Sequence, residues 1–213
     1  MEMNVDQFSA TVVAMIDKRQ ADIAISKRVL FLGRTECQKS ILLRSCVLLI
    51  YASLEGGVKE LCRHYLSAIN LKKPGVQELH PAYLYLASRR TCRTDQQILD
   101  HDKAVALVNE IREFMMAPVS MPTSMDTESN LSPKVVARIC RSLCLNEFMN
   151  NDQEAGLNQL LRFRNNIAHG DQQMPVDGTR IDQFSGIAQY ILAQFAGSIC
   201  EAYHGRVWLI GSP

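Results

Sequence analysis

Residues 164–170 read Arg-Asn-Asn-Ile-Ala-His-Gly, an arginine and a histidine with four residues between them. An arginine is cationic at any physiological pH and clamps a phosphate through paired N–H donors, whereas a histidine takes or gives a proton near neutrality. One group for charge and one for the proton suffice to cut RNA without a metal, because the ribose 2′-hydroxyl is a nucleophile already in the substrate.

On an ideal helix Asn165 and His169 lie one turn apart, and Arg162 lies one turn before Asn165 and Asn166, so Arg162, Asn165, Asn166 and His169 form a polar stripe. Leu160, Phe163 and Ile167 take the packed side. Arg164 sits off the stripe, and its side chain must bend around the helix to reach His169. The spacing by itself is weak evidence. A histidine at a helix end is favoured by the dipole, an arginine stem covers apolar surface, and exposed asparagines need no function.

The elements that would position this run are helical throughout. Phe8, Val12, Ile16, Ile23 and Leu30 recur at helical spacing from Val5 to about Leu32. Thr35 can cap a longer helix from Cys37 to about Ile69, apolar nearly all round its middle and interrupted only by Gly56-Gly57, which makes it the central helix of a bundle. A third helix is expected from Val76 to Ser88, with His80-Pro81 near its start, and a fourth from Asp95 to Met116. Pro118 to Ser132 is the one long loop, a candidate lid or substrate rim.

Ser132-Pro133 then opens a short helix to about Leu145. Asp152 can cap the helix carrying Arg164 and His169, with Gly170 its left-handed terminator. Thr179-Arg-Ile-Asp182 looks like a capping box for a last helix to about His204. Neither strand alternation of convincing length nor an internal repeat is visible, so the expected fold is all-α, a single domain over residues 1–213.

The 213 residues include 23 basic and 22 acidic ones, a formal charge of +1, which argues against a surface that holds a long duplex by counterion release. The first residues carry neither the basic nor the apolar region of a signal peptide. The longest apolar run, Ser45 to Leu54, is shorter than a bilayer span, so no membrane contact is expected.

Seven cysteines, an odd set with no CxxC pair, speak against a disulfide framework or zinc ribbon and for a reducing, cytoplasmic setting. Cys62, His64, Cys140 and Cys144 are conceivable metal ligands, but small apolar core residues is the simpler reading. His80, His101 and His204 lack companions at metal spacing, and Arg89-Arg90 with Arg93 reads as a solvated turn. No phosphate loop or Gly-x-Ser-x-Gly elbow occurs. No cofactor and no metal is expected.

The Arg164-Asn165…His169 run resembles the signature of the HEPN superfamily of helical ribonucleases. Leu48 to Leu61, containing Tyr51-Ala-Ser-Leu-Glu55-Gly-Gly, is similar to the central helix of the RiboL-PSP type and related HEPN-like nucleases. Glu78 to Pro81 and Ser129 to Ser132 extend the likeness over most of the chain, to which Val207 to Pro213 add nothing.

The resemblance implies an endoribonuclease in which His169 moves the proton, Arg164 stabilises phosphoryl charge and Asn165 positions phosphate or imidazole. Glu55 would lie against the Arg164 helix with Arg164 as its counter-ion, either transferring a proton or orienting Arg164. Arg162, Asn166 and Tyr51 are candidate substrate contacts. It further implies a homodimer whose two Arg-His motifs face one composite cleft, and a toxin or antiviral effector of tRNA, ribosomal or messenger RNA held silent by an antitoxin or sensor. The alternative is a non-catalytic helical module that dimerises or binds a nucleotide, RNA or protein.

Overall fold

The long helices begin where a polar side chain closes the first turn. Asn4 and Gln7 exchange side chain and backbone hydrogen bonds in a capping box, as do Thr35 with Gln38 and Asn150 with Gln153, and the Asp177 carboxylate accepts from the Arg180 amide. These caps start α1 Val5–Arg28, α2 Glu36–Lys72, α6 Asn151–Ala168 and α7 Gly178–Gly205, between which lie α3 Pro81–Ser88, α4 His101–Met116 and α5 Pro133–Ser142. This computed structural model describes residues 3–88, 101–116, 119–127, 130–171 and 174–211, without the side chains of 101–104. Among the described residues the only strand-like pairing is an isolated bridge between Leu79 and Leu209, so the protein is all-α.

The second helix is central, as its composition demands. It packs along α1, α7 and α6, and the buried side chains of all these elements form one cluster. Glu36–Lys72 is long and apolar enough to cross a bilayer, a test that a buried core helix also passes. Here Ile50, Leu54, Val58 and Leu61 are fully buried against the neighbouring helices.

Gly56-Gly57 does not break the helix but permits a close approach. A Cβ on Gly57 would stand 2.5 Å from Leu192 Cδ2 of α7, while one on Gly56 would meet the Arg19 guanidinium at 3.5 Å. Arg19 itself donates from Nη2 to Glu60 at 2.8 Å, joining α1 to α2.

Several boundaries differ from those read in the sequence, among them the end of α1 at Arg28, followed by a 3-10 turn at Val29–Leu32. Residues 76–88 are two elements, a 3-10 turn at Val76–Glu78 and then α3, because Leu79 is extended and the residue before a proline avoids the helical region. Asn150 rather than Asp152 caps α6, its Oδ1 accepting from both Asp152 and Gln153 amides. Asp177 rather than Thr179 caps α7. The C-terminal segment belongs to the core: Trp208 is buried, its carbonyl accepts from the His80 amide at 2.7 Å, and the Ile210 amide donates to the Glu78 carbonyl at 2.8 Å.

The expected helix start at Asp95, the Arg89, Arg90 and Arg93 group, Cys92 and Ser129 lie outside the described residues.

Candidate active site

Helix α6 ends in a Schellman turn with the histidine at its C-cap. His169 has φ −86 and Gly170 φ +84; the Gly170 amide donates to the Ile167 carbonyl at 3.0 Å and the Asp171 amide to the Asn166 carbonyl at 2.9 Å. Gly170 is the left-handed terminator expected, in a conformation that a side chain opposes. Asn166, half-buried, donates from Nδ2 to Met174 Sδ at 3.6 Å, while His169 is exposed.

Arg164 lies on another side of α6, half-buried against α2. Its guanidinium lies 4.7 Å from the centroid of the Tyr51 ring, and Nη1 donates to Asn165 Oδ1 at 2.7 Å and to Asn130 Oδ1 at 2.9 Å. A cation over an aromatic face contributes about 0.5–2 kcal/mol and, with two directional hydrogen bonds, fixes the planar fork in one orientation. Asn165 joins the two halves of the motif. Its side chain accepts from Arg164, and its carbonyl accepts from the His169 amide at 2.9 Å.

Beneath Arg164, Tyr51 is 2 % exposed, and its hydroxyl accepts from the Leu131 amide at 2.6 Å. Burial first, then the Glu55 charge, hold the phenol above its ordinary pKa. Tyr51 is therefore buried as a platform under Arg164.

Glu55 departs from expectation in its partner. Its Oε1 accepts from Lys59 Nζ at 2.7 Å and Thr127 Oγ1 at 2.9 Å, so its ion pair is with Lys59 instead of Arg164. The reason is local: Lys59 is one turn along the same helix face, whereas the guanidinium is held by Asn130, Asn165 and Tyr51.

The loop expected as lid or rim is packed down in its described parts. Val119, Met121, Thr127 and Leu131 are buried, and the Asn70 side chain makes two hydrogen bonds to the Met121 backbone, at 2.6 and 3.1 Å. It forms one wall of the Arg164 site through Asn130 and Thr127. Neither was read as a site residue in the sequence, although Asn130 lies in the Ser-Asn-Leu-Ser stretch just before the α5 cap; no periodic pattern connects it to Arg164.

The polar stripe of α6 is thus divided. Arg162 is exposed and lines an open groove between α6 and α7 with Arg180, Asp152 and Tyr190. Arg164 and Asn165 face Tyr51 and Asn130, and His169 caps the helix in solvent.

The conceivable metal ligands are dispersed into other roles. His64 stacks on Phe8 at 4.7 Å between ring centroids, with burial lowering its pKa. Cys62 and Cys140 are buried, and Cys144 Sγ lies 3.4 Å from His80 Nδ1. Among the described residues no group of three or more His, Cys, Asp or Glu stands together.

No curated protein and no solved structure matches the chain. A family model does, over residues 8–207, and this span takes in α2 with Tyr51 and Glu55, the Asn130 wall and the Arg164–His169 helix. The superfamily read from those two motifs is the one that matches, and the chain belongs to the HEPN_MAE_28990-like HEPN family.

Proposed function

We propose that the chain is a metal-independent endoribonuclease. His169 removes the proton of a ribose 2′-hydroxyl, the oxygen attacks the adjacent phosphorus, and the P–O5′ bond breaks as O5′ takes a proton. The products are a 2′,3′-cyclic phosphate and a 5′-hydroxyl. Arg164 stabilises the charge that grows on the phosphoryl oxygens. One observation carries this reading: Arg164 of the motif is held by a built set of groups, Tyr51 below and Asn130 and Asn165 beside it. Such preorganisation is what electrostatic stabilisation of a transition state requires.

One imidazole cannot be base and acid in a single step, so the second proton comes from the His169 of a second copy across a composite cleft. The substrate class is a short single-stranded loop of a transfer, ribosomal or messenger RNA, since a charge of +1 favours local recognition and loops expose their bases. The biological role that goes with this activity is a cytoplasmic toxin or antiviral effector restrained by an antitoxin or sensor.

A second reading has its own observation. Arg164 Nη1 is engaged by two amide oxygens of the same chain, which is also how a structural arginine in a non-catalytic module would look. One experiment separates the two. Purified protein is incubated with RNA in EDTA, beside His169→Ala and a substrate carrying a 2′-deoxy sugar at the cut position. Cleavage by the wild type alone, of the ribose substrate alone, is the expected result. Intact RNA in every lane leaves the module, and cutting of the deoxy substrate would move the chemistry elsewhere.

A further inference from the structure

We propose that Arg44 of α2 is a positioning residue for His169. The inference rests on the reading of Arg164 and His169 as the nuclease pair and adds a residue to it.

The Arg44 guanidinium donates from Nη2 to the carbonyl of Asp171, two residues beyond His169. That carbonyl belongs to the last residue of the Schellman turn. His169, Gly170 and Asp171 are exposed, and a Cβ on Gly170 would meet nothing within 4 Å. Its own backbone bonds define the shape of the turn, and the Arg44 contact attaches that shape to the central helix.

Arg44 is seven residues before Tyr51, two helical turns along the same face of α2. Tyr51 supports Arg164, and Arg44 grips the end of α6 that carries His169. One central helix therefore sets both members of the pair, at two points of an antiparallel contact. The bond is charge-assisted and lies at the negative end of α6, where a cation is favoured. Arg44 acts through the turn and is not assigned to the substrate.

The test compares the wild type with Arg44→Ala and Arg44→Lys. In Arg44→Ala, kcat should fall on the order of tenfold to 10²-fold, as for a catalytic group displaced by about an ångström. KM should stay near the wild-type value. Lys keeps a donor for the carbonyl and should restore most of the loss, which a mere packing defect would not do.

Hydrogen exchange supplies a reading independent of RNA: the Gly170 and Asp171 amides should exchange faster in Arg44→Ala while α7 stays protected. Unchanged kcat, or a defect confined to KM, overturns the proposal, the latter by making Arg44 a phosphate contact. If the wild type does not cut RNA, the nuclease reading fails. The exchange data then decide the tether, and unchanged exchange overturns it.

Discussion

At the scale of single residues, Arg164 tests whether orientation or charge matters. Arg164→Lys keeps the charge, but a lysine cannot lie flat on the Tyr51 ring while donating to both Asn130 and Asn165 as the fork does. Turnover should drop on the order of 10²-fold, comparable to removing one oxyanion donor; full activity would make Arg164 a packing residue. Tyr51→Phe probes the layer below. It retains the ring under Arg164 but leaves the fully buried Leu131 amide without its acceptor, so denaturant titration should show a loss of about 1–3 kcal/mol with RNA cleavage largely kept. Buried titratable groups add a pH dependence. Burial raises the phenols of Tyr51, Tyr65 and Tyr83, and pushes the Cys140 thiol up to about 11. Above the ordinary values the unfolded chain has released protons that the folded one retains, so stability falls with pH. The stabilisation is intact below pH 9.0, the ordinary thiol value, and is lost as pH climbs beyond 10.0, the ordinary phenol value, through the raised folded values. Phenolate absorbance from these tyrosines should therefore appear together with unfolding; phenolate formation at the ordinary value in a folded sample would contradict it.

At the scale of elements, the adjacent glycines of α2 make a matched pair. Gly57→Ala must displace Leu192, itself fully buried, and should cost about 1–3 kcal/mol in a urea titration. Gly56→Ala places its methyl in ordinary contact with the Arg19 guanidinium and gains helix propensity, so it should be neutral or stabilising by about 0.5–1 kcal/mol. Equal effects would mean that α2 and α7 are not as close as described. The same helices show where local patterns suffice. Phe8, Val12, Ile16 and Ile23 are spaced for one buried face and are buried, and Thr35 and Ser132 cap as their positions predict. Arg164, Asn165 and His169 were legible for the same reason, since one helix and its glycine terminator place all three. What stayed hidden depends on partners distant in sequence. The Leu79–Leu209 bridge and the burial of Trp208 join segments about 130 residues apart, and no periodicity in either announces the other. Asn130 and Thr127 come from a stretch without helical spacing, and the structure alone brings them to Arg164 and Glu55. Lys59 is the reverse case: its i, i+4 relation to Glu55 was readable, but the resemblance pointed to the longer-range Arg164.

At the scale of the whole molecule, the position of His169 makes the strongest demand. Arg164 is turned towards α2 and His169 towards solvent, and one imidazole cannot be both base and acid in a single step. A homodimer answers this by opposing two motifs, and sedimentation should then report about twice the 24.0 kDa chain. Mass alone does not establish a composite site, because two independent sites in one dimer weigh the same. Mixed dimers distinguish them. When wild type is co-expressed with His169→Ala in increasing proportion, a cleft that needs one histidine as base and the other as acid is active only in wild-type pairs. Activity per chain then falls as the square of the wild-type fraction. Sites that act alone give a linear fall. The square law is the expected result, with subunit mixing checked by differently tagged copies. A linear fall, or a strict monomer that cuts RNA, would return the acid role to the same chain. The nearest ionisable groups of the Arg164 site are then Glu55 and Tyr51. The raised phenol of Tyr51 stays protonated near neutrality, but its burial and its bond to Leu131 leave it little access to a leaving O5′. Glu55, already accepting from Lys59 and Thr127, would have to exchange a partner to serve. That reorganisation is a cost that the proposed two-histidine cleft avoids.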